Sequence, residues 1–195
     1  LTPAAGDEDH IRVIADINPQ VPNRHTQPEA AGRTLGEMAR ALKAAGAQVL
    51  AMPCNTAHAH AGAIRAAGLP FIDMIAETAK AAGATGARRV GVLATPGAAL
   101  LYAEALAAEG LEMVAPSPAE RERFMQVVFG VKAGDVGPDQ RAAMRDLAQA
   151  LIAAGAEAVI GGCTEVPLLL DQGDVDAPLI DSAEVLARTC VAACR

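Results

Sequence analysis

Aromatic residues are scarce in this chain. They make up 2% of 195 residues, with no tryptophan and a single tyrosine, so almost nothing is available for nucleic-acid bases to stack on. Basic residues are outnumbered, 16 against 23 acidic ones, giving a net charge of −7, and they are scattered rather than gathered in a stripe. A nucleic-acid partner is not expected. No apolar run approaches the roughly 18 residues of a membrane span, and the opening "LTPAAGDEDH" has neither a basic leader nor a hydrophobic block. No membrane partner is expected either. Four cysteines at irregular spacings are too few for a disulfide scaffold, which points to free thiols in a reducing, cytoplasmic setting. What remains is 52% hydrophobic residues, enough for a sizeable core, and a small molecule as the expected ligand.

The chain repeats itself. "GAQVLAMPCNT", from Gly46, and "GAEAVIGGCTE", from Gly155, each run Gly-Ala, an apolar stretch, then a cysteine eight positions after the glycine. Downstream, "LPFIDMIAETA" and "APLIDSAEVLA" place Pro70 sixteen residues after Cys54 and Pro178 fifteen after Cys163. Words repeated in register indicate two related halves. Before each glycine lies a helical pattern: Leu35, Met38, Ala39 and Leu42 in one half, Met144, Leu147, Leu151 and Ile152 in the other. "QVLAM" and "EAVIG" suit buried strands, "RRVGVLAT" another, "PGAALLYAEALAAEG" its helix, and "DSAEVLARTCVAACR" a last helix capped by Asp181 or Ser182.

The expected fold is therefore α/β, with two pseudo-symmetric lobes, each a mostly parallel sheet flanked by helices. Residues 1–80 with 180–195 form the expected first lobe and 81–179 the second, divided at "AAGATG"; "APSPAERER" and "AGDVGPD" read as loops. With Cys54 and Cys163 109 positions apart, the counterpart of Val90 falls before residue 1, so the first strand of lobe 1 is expected to be missing from this chain.

Both repeat cysteines fall beyond the carboxyl end of a strand, where ligands collect in open α/β sheets. Asn55 and Thr56 follow one, Thr164 and Glu165 the other, each pair leading into an expected helix start that would hold a carboxylate and lower the thiol's pKa. A lone cysteine there is usually a small hydrophobe. Two in register fit a reaction that inverts a stereocentre, one removing a proton from one face while the other delivers a proton to the opposite face. Cys54 with His58 and His60 also raises a zinc reading, but the spacing matches no common zinc signature and the second copy has no histidine. No metal is expected. His58 reads as a capping group and His60 as solvent-facing, while Cys190 and Cys194 read as decoration of the last helix.

With those residues in place, the chain resembles the cofactor-independent aspartate/glutamate racemases. "PCNTAH" is similar to that family's first cysteine motif and "GGCTEVPLLL" to its second; Thr164-Glu165, in place of Thr-His, resembles the aspartate racemase branch, as does "DINPQVPNRHT". The resemblance implies a site between two lobes, no cofactor, an amino-acid substrate and a homodimer. It implies Cys54 and Cys163 as the acid/base pair, Asn55, Thr56 and Thr164 at the α-carboxylate and amino group, and Glu165 near the reacting centre. It also implies Arg24 on the side-chain carboxylate and Lys132 as a second basic contact. A guanidinium suits a dicarboxylate because it grips one carboxylate with two parallel hydrogen bonds. Asn18 and Gln20 are further loop candidates. Rival readings are a related cis-trans isomerase, a hydantoin racemase, or a two-lobed small-ligand binding protein without turnover.

Overall fold

Two helices end in the same way, and the chain is built around that repetition. The computed structural model describes residues 5–23 and 26–195. Helix α1 (Pro28–Ala44) stops at Gly46, where φ is +95° and the N–H bonds the Lys43 carbonyl while Ala47 N–H bonds Leu42. Strand β1 (Leu50–Ala51) follows, then a 3₁₀ stretch over Thr56–His60, α2 (Ala61–Arg65), β2 (Phe71–Ile72) and α3 (Met74–Ala84). Strand β3 (Arg89–Ala94), α4 (Pro96–Ala108), β4 (Glu112–Val114), α5 (Pro118–Lys132) and α6 (Pro138–Ala153) come next. Gly155 then repeats Gly46: φ is +95°, Gly155 N–H bonds Ile152 and Ala156 N–H bonds Leu151. Only glycine takes that left-handed step without strain, which is why it closes both helices. Strand β5 (Ala158–Gly162), a one-turn 3₁₀ helix (Val166–Leu168), β6 (Leu179–Asp181) and α7 (Ser182–Ala193) complete the chain.

The pairing repeats as well. In the first sheet β1 runs parallel to β2 with Leu50 opposite Phe71 and Ala51 opposite Ile72. In the second, ordered β4-β3-β5-β6 and all parallel, Val159 lies opposite Leu179 and Ile160 opposite Ile180. These are the same partners carried one repeat along. Leu50 N–H bonds the Pro70 carbonyl as Val159 N–H bonds Pro178. Asp73 caps α3 by accepting from Ile75 and Ala76, and Asp181 caps α7 by accepting from Ala183.

Strand alternation divides the core of the second lobe. Val90, Val92, Ala158 and Ile160 pack with Ile75, Ala79, Tyr102 and Leu106 of α3 and α4. Leu93 and Val159 pack with Phe124, Val128, Met144, Leu147 and Leu151 of α5 and α6. Each such buried aliphatic side chain contributes about 1.5–3 kcal/mol. Gly91 lets α6 approach, since a Cβ there would meet Leu151 Cβ at 3.0 Å. In the first lobe Leu35, Ala39 and Ile64 cover Leu50 and Phe71, while Leu186 and Ala183 of α7 pack with Val49 and Ile72.

Three expectations change. "APSPAERER" is not a loop beyond Ser117: Ser117 accepts from Glu120 N–H, Glu120 accepts from Ser117 N–H, and Pro118 begins α5. That reciprocal cap starts a helix. The expected division at residue 80 falls inside α3, which packs on the second sheet, and the one at residue 180 falls inside β6, which pairs with β5. His60 is half-buried, its ring beside Gly32 of α1 rather than facing solvent. No helix among the described residues is long and apolar enough to cross a membrane.

Candidate active site

Beyond β1 the chain turns sharply, Cys54 N–H bonding the Met52 carbonyl. His58 holds this turn from beneath. Its Nε2 accepts the Met74 N–H at 3.0 Å, so the ring proton sits on Nδ1 and is donated to the Cys54 carbonyl at 2.8 Å. The tautomer follows from the amide donor. Burial lowers the His58 pKa below 6.5, against the raising influence of the Cys54 carbonyl and of Asp73, whose carboxylate lies 3.9 Å away. A depressed pKa contributes stability that is present above 6.5 and lost as pH falls through the lower folded-state value. The urea midpoint should therefore drop from about pH 7 to about pH 5, and His58→Gln should flatten that dependence.

Asn55 turns inward. It is 3% exposed, its Oδ1 accepting from Tyr102 Oη at 2.6 Å and its Nδ2 donating to Ser182 Oγ at 3.1 Å. What it has left for a ligand is one Nδ2 hydrogen and its backbone N–H. Thr56 Oγ1 lies 2.7 Å from Thr95 Oγ1, at the start of α4 just beyond β3. In the second sheet Ala94 is opposite Gly162, so Thr95 stands beside Cys163. These contacts bring both cysteine loops to the carboxyl end of the second sheet.

Cys163 differs from the expectation of an acidified thiol. It is 8% exposed and its Sγ donates to Glu165 Oε2 at 2.8 Å. Burial, then that carboxylate, push its pKa from 9.0 up to about 12. The expected helix start is a single 3₁₀ turn over Val166–Leu168, too short to supply a helix dipole. Glu165 is its complement. Burial raises its pKa, but the Cys163 thiol, the Lys132 charge and the Thr164 hydroxyl at 3.3 Å outweigh that and hold it below its usual value. Lys132, at the end of α5, reaches Glu165 Oε1 at 3.6 Å with its own side chain 55% exposed.

Arg24 lies outside the described residues. Asn18 accepts from Gln20 N–H in an exposed local turn. All four cysteines are free, and no group of three metal-binding side chains occurs among the described residues. The sequence does not single out Thr95 or Tyr102, and it offers Ser182 only as a cap of the last helix. Of the first two only Thr95 has a local signal, a polar residue between a buried strand and a helix-starting proline.

Parallel sheets flanked by helices in two lobes are an architecture shared with a solved amino-acid racemase. The sequence profile of the Asp/Glu/Hydantoin racemase family matches residues 1–190. This chain belongs to that family. It is 32% identical to a glutamate racemase of Roseiflexus sp. (strain RS-1) over 75% of this chain and 56% of that one. It is 26% identical to a broad specificity amino-acid racemase of Bacillus subtilis (strain 168), over 95% and 82%. Among solved structures, the Picrophilus torridus aspartate racemase superposes with a TM-score of 0.81 at 25% identity, over 99% of this chain and 84% of that one. The chain thus spans little more than half the length of the matched glutamate racemase and most of the other two.

Proposed function

We propose that the protein racemises an acidic amino acid, aspartate in the first instance, by two-base proton transfer between Cys54 and Cys163 without a cofactor. The single observation that carries this reading is the placing of both cysteine loops at one sheet end, through Thr56 on Thr95 and Asn55 on Ser182. Cys163, held protonated, is the acid of the resting site. The accepting role falls to Cys54. Its thiolate takes the α-proton, leaving a planar carbanion conjugated with the carboxylate, and the Cys163 S–H delivers a proton to the opposite face. The enzyme is then left with a Cys54 thiol and a Cys163 thiolate, ready for the reverse reaction.

As Cys163 gives up its proton, Glu165 loses a donor and gains a neighbouring negative charge, which Lys132 offsets. Thr56, Thr164 and the free hydrogens of Asn55 suit the α-carboxylate and amino group, and Arg24 the side-chain carboxylate. A homodimer and a cytoplasmic setting belong to the same proposal.

The test is incubation of purified protein with L- or D-aspartate in heavy water without added cofactor. We expect α-deuterium incorporation together with the other enantiomer on chiral chromatography, with glutamate as the comparison substrate. Tight binding of aspartate without exchange would replace the racemase with a binding protein.

A further inference from the structure

Tyr102 is the only tyrosine, is fully buried, and has no part in the chemistry proposed above. It nonetheless touches both cysteine loops. Its ring fills the space beside Gly162, the residue before Cys163: a Cβ built there would lie 2.7 Å from Tyr102 Cε2. Its hydroxyl donates to Asn55, the residue after Cys54.

The hydrogen bonds beyond Asn55 run one way. Ser182 Oγ spends its single hydrogen on the Gly161 carbonyl, at 2.8 Å, so it accepts from Asn55. That fixes the amide, with Nδ2 toward Ser182 and Oδ1 toward the tyrosine. Tyr102, Asn55, Ser182 and Gly161 thus form a buried circuit from α4 through the first cysteine loop to the strand that carries the second. The Tyr102 ring closes it at Gly162.

We infer that Tyr102 is a positioning residue that sets the separation of the two cysteine loops, its ring bearing on Gly162 and its hydroxyl on Asn55. The inference rests on the racemase reading for its catalytic consequence, though not for its geometry. A phenol is rigid along its long axis, so it acts as a spacer of fixed length. Two proton transfers to opposite faces of one carbon need that constancy, since a misplacement of about 1 Å can cost roughly a hundredfold in rate.

The experiment is a cycle of Tyr102→Phe, Ser182→Ala and the double variant, read as kcat and KM for aspartate in both directions. Tyr102→Phe keeps the ring and removes the hydroxyl. It should lower kcat about ten- to a hundredfold with KM changed less than about threefold. Ser182→Ala should do the same, and the double variant should be no worse than the poorer single one by more than about threefold, because Tyr102 and Ser182 belong to one buried hydrogen-bonded cluster with Asn55. Unchanged kcat in Tyr102→Phe, or effects that multiply, would overturn the inference.

A second reading needs no activity. With no tryptophan and one tyrosine, the near-ultraviolet tyrosine band and emission report on Tyr102 alone. Ser182→Ala leaves the ring in place but releases Asn55, so the band should shift. An unshifted band sinks the circuit even if Tyr102→Phe fails to fold. A band that shifts in Ser182→Ala, from a wild-type protein that does not racemise, would instead remove the proposed function and keep the spacer.

Discussion

Iodoacetamide at neutral pH should alkylate Cys163 more than about tenfold more slowly than an unperturbed thiol. The thiolate is the reactive form, and the rise from 9.0 to about 12 cuts its fraction, a loss that the greater nucleophilicity of a more basic thiolate offsets only in part. Steric shielding would also slow the reaction, but the two causes separate in a pH profile. Shielding lowers the plateau; a raised pKa moves the midpoint. The rate, followed by peptide mass spectrometry, should still be climbing well above pH 9. Glu165→Gln removes the carboxylate but not the burial, which is the larger cause, so it should recover part of the rate and less than the whole effect. A Cys163 that titrates like a free thiol would contradict the 2.8 Å contact with Glu165. Stability is linked to the same shift: the contribution of a raised pKa is complete below about 9.0 and lost as pH rises through about 12. Cys163→Ser should remove that alkaline loss.

Cys54→Ala and Cys163→Ala should each cut racemisation about 10²- to 10⁴-fold, the range for removing one positioned acid or base. Both directions should suffer equally, because each uses both thiols. Exchange with solvent should behave differently. A lone remaining thiol can still remove a proton and return a deuteron on its own side, so each variant should wash deuterium into one enantiomer only. The enantiomer should swap between the two variants. Proton magnetic resonance of L- and D-aspartate incubated separately in heavy water reads this directly, and racemisation retained in either variant would remove the two-thiol mechanism.

Local patterns carried the repeat and the cysteines into view. The register of Leu50 on Phe71 and Val159 on Leu179 follows the repeat, 109 residues apart at the first strand of each pair and 108 at the second, where the second half is one residue shorter, and both helix-closing glycines are visible as letters. The start of α5 is equally local, a Ser-Pro-Ala-Glu cap, but proline and serine also mark loops, so the letters alone do not decide between the two. The contacts of Tyr102 and Ser182 are out of reach for another reason. Their partner Asn55 is 47 and 127 residues away, and no periodicity encodes contacts that exist only once both lobes have folded. Cys163 is less acidic than its place after a strand suggests, because the turn after it is one residue triplet long and Glu165 bends back onto the sulfur. Both effects depend on three-dimensional approach, which residue types alone do not fix.

Backbone twins need not be chemical twins: Glu165 stands where the other half has Thr56. For a catalyst that interconverts mirror images, the overall equilibrium constant in water is one, whatever the protein does. Catalytic efficiency must then be identical in the two senses, so any inequality between the sulfurs has to emerge as a matched rise in turnover number and Michaelis constant for one enantiomer. Progress curves begun from pure L and pure D material would differ in curvature and still end at the same racemic composition.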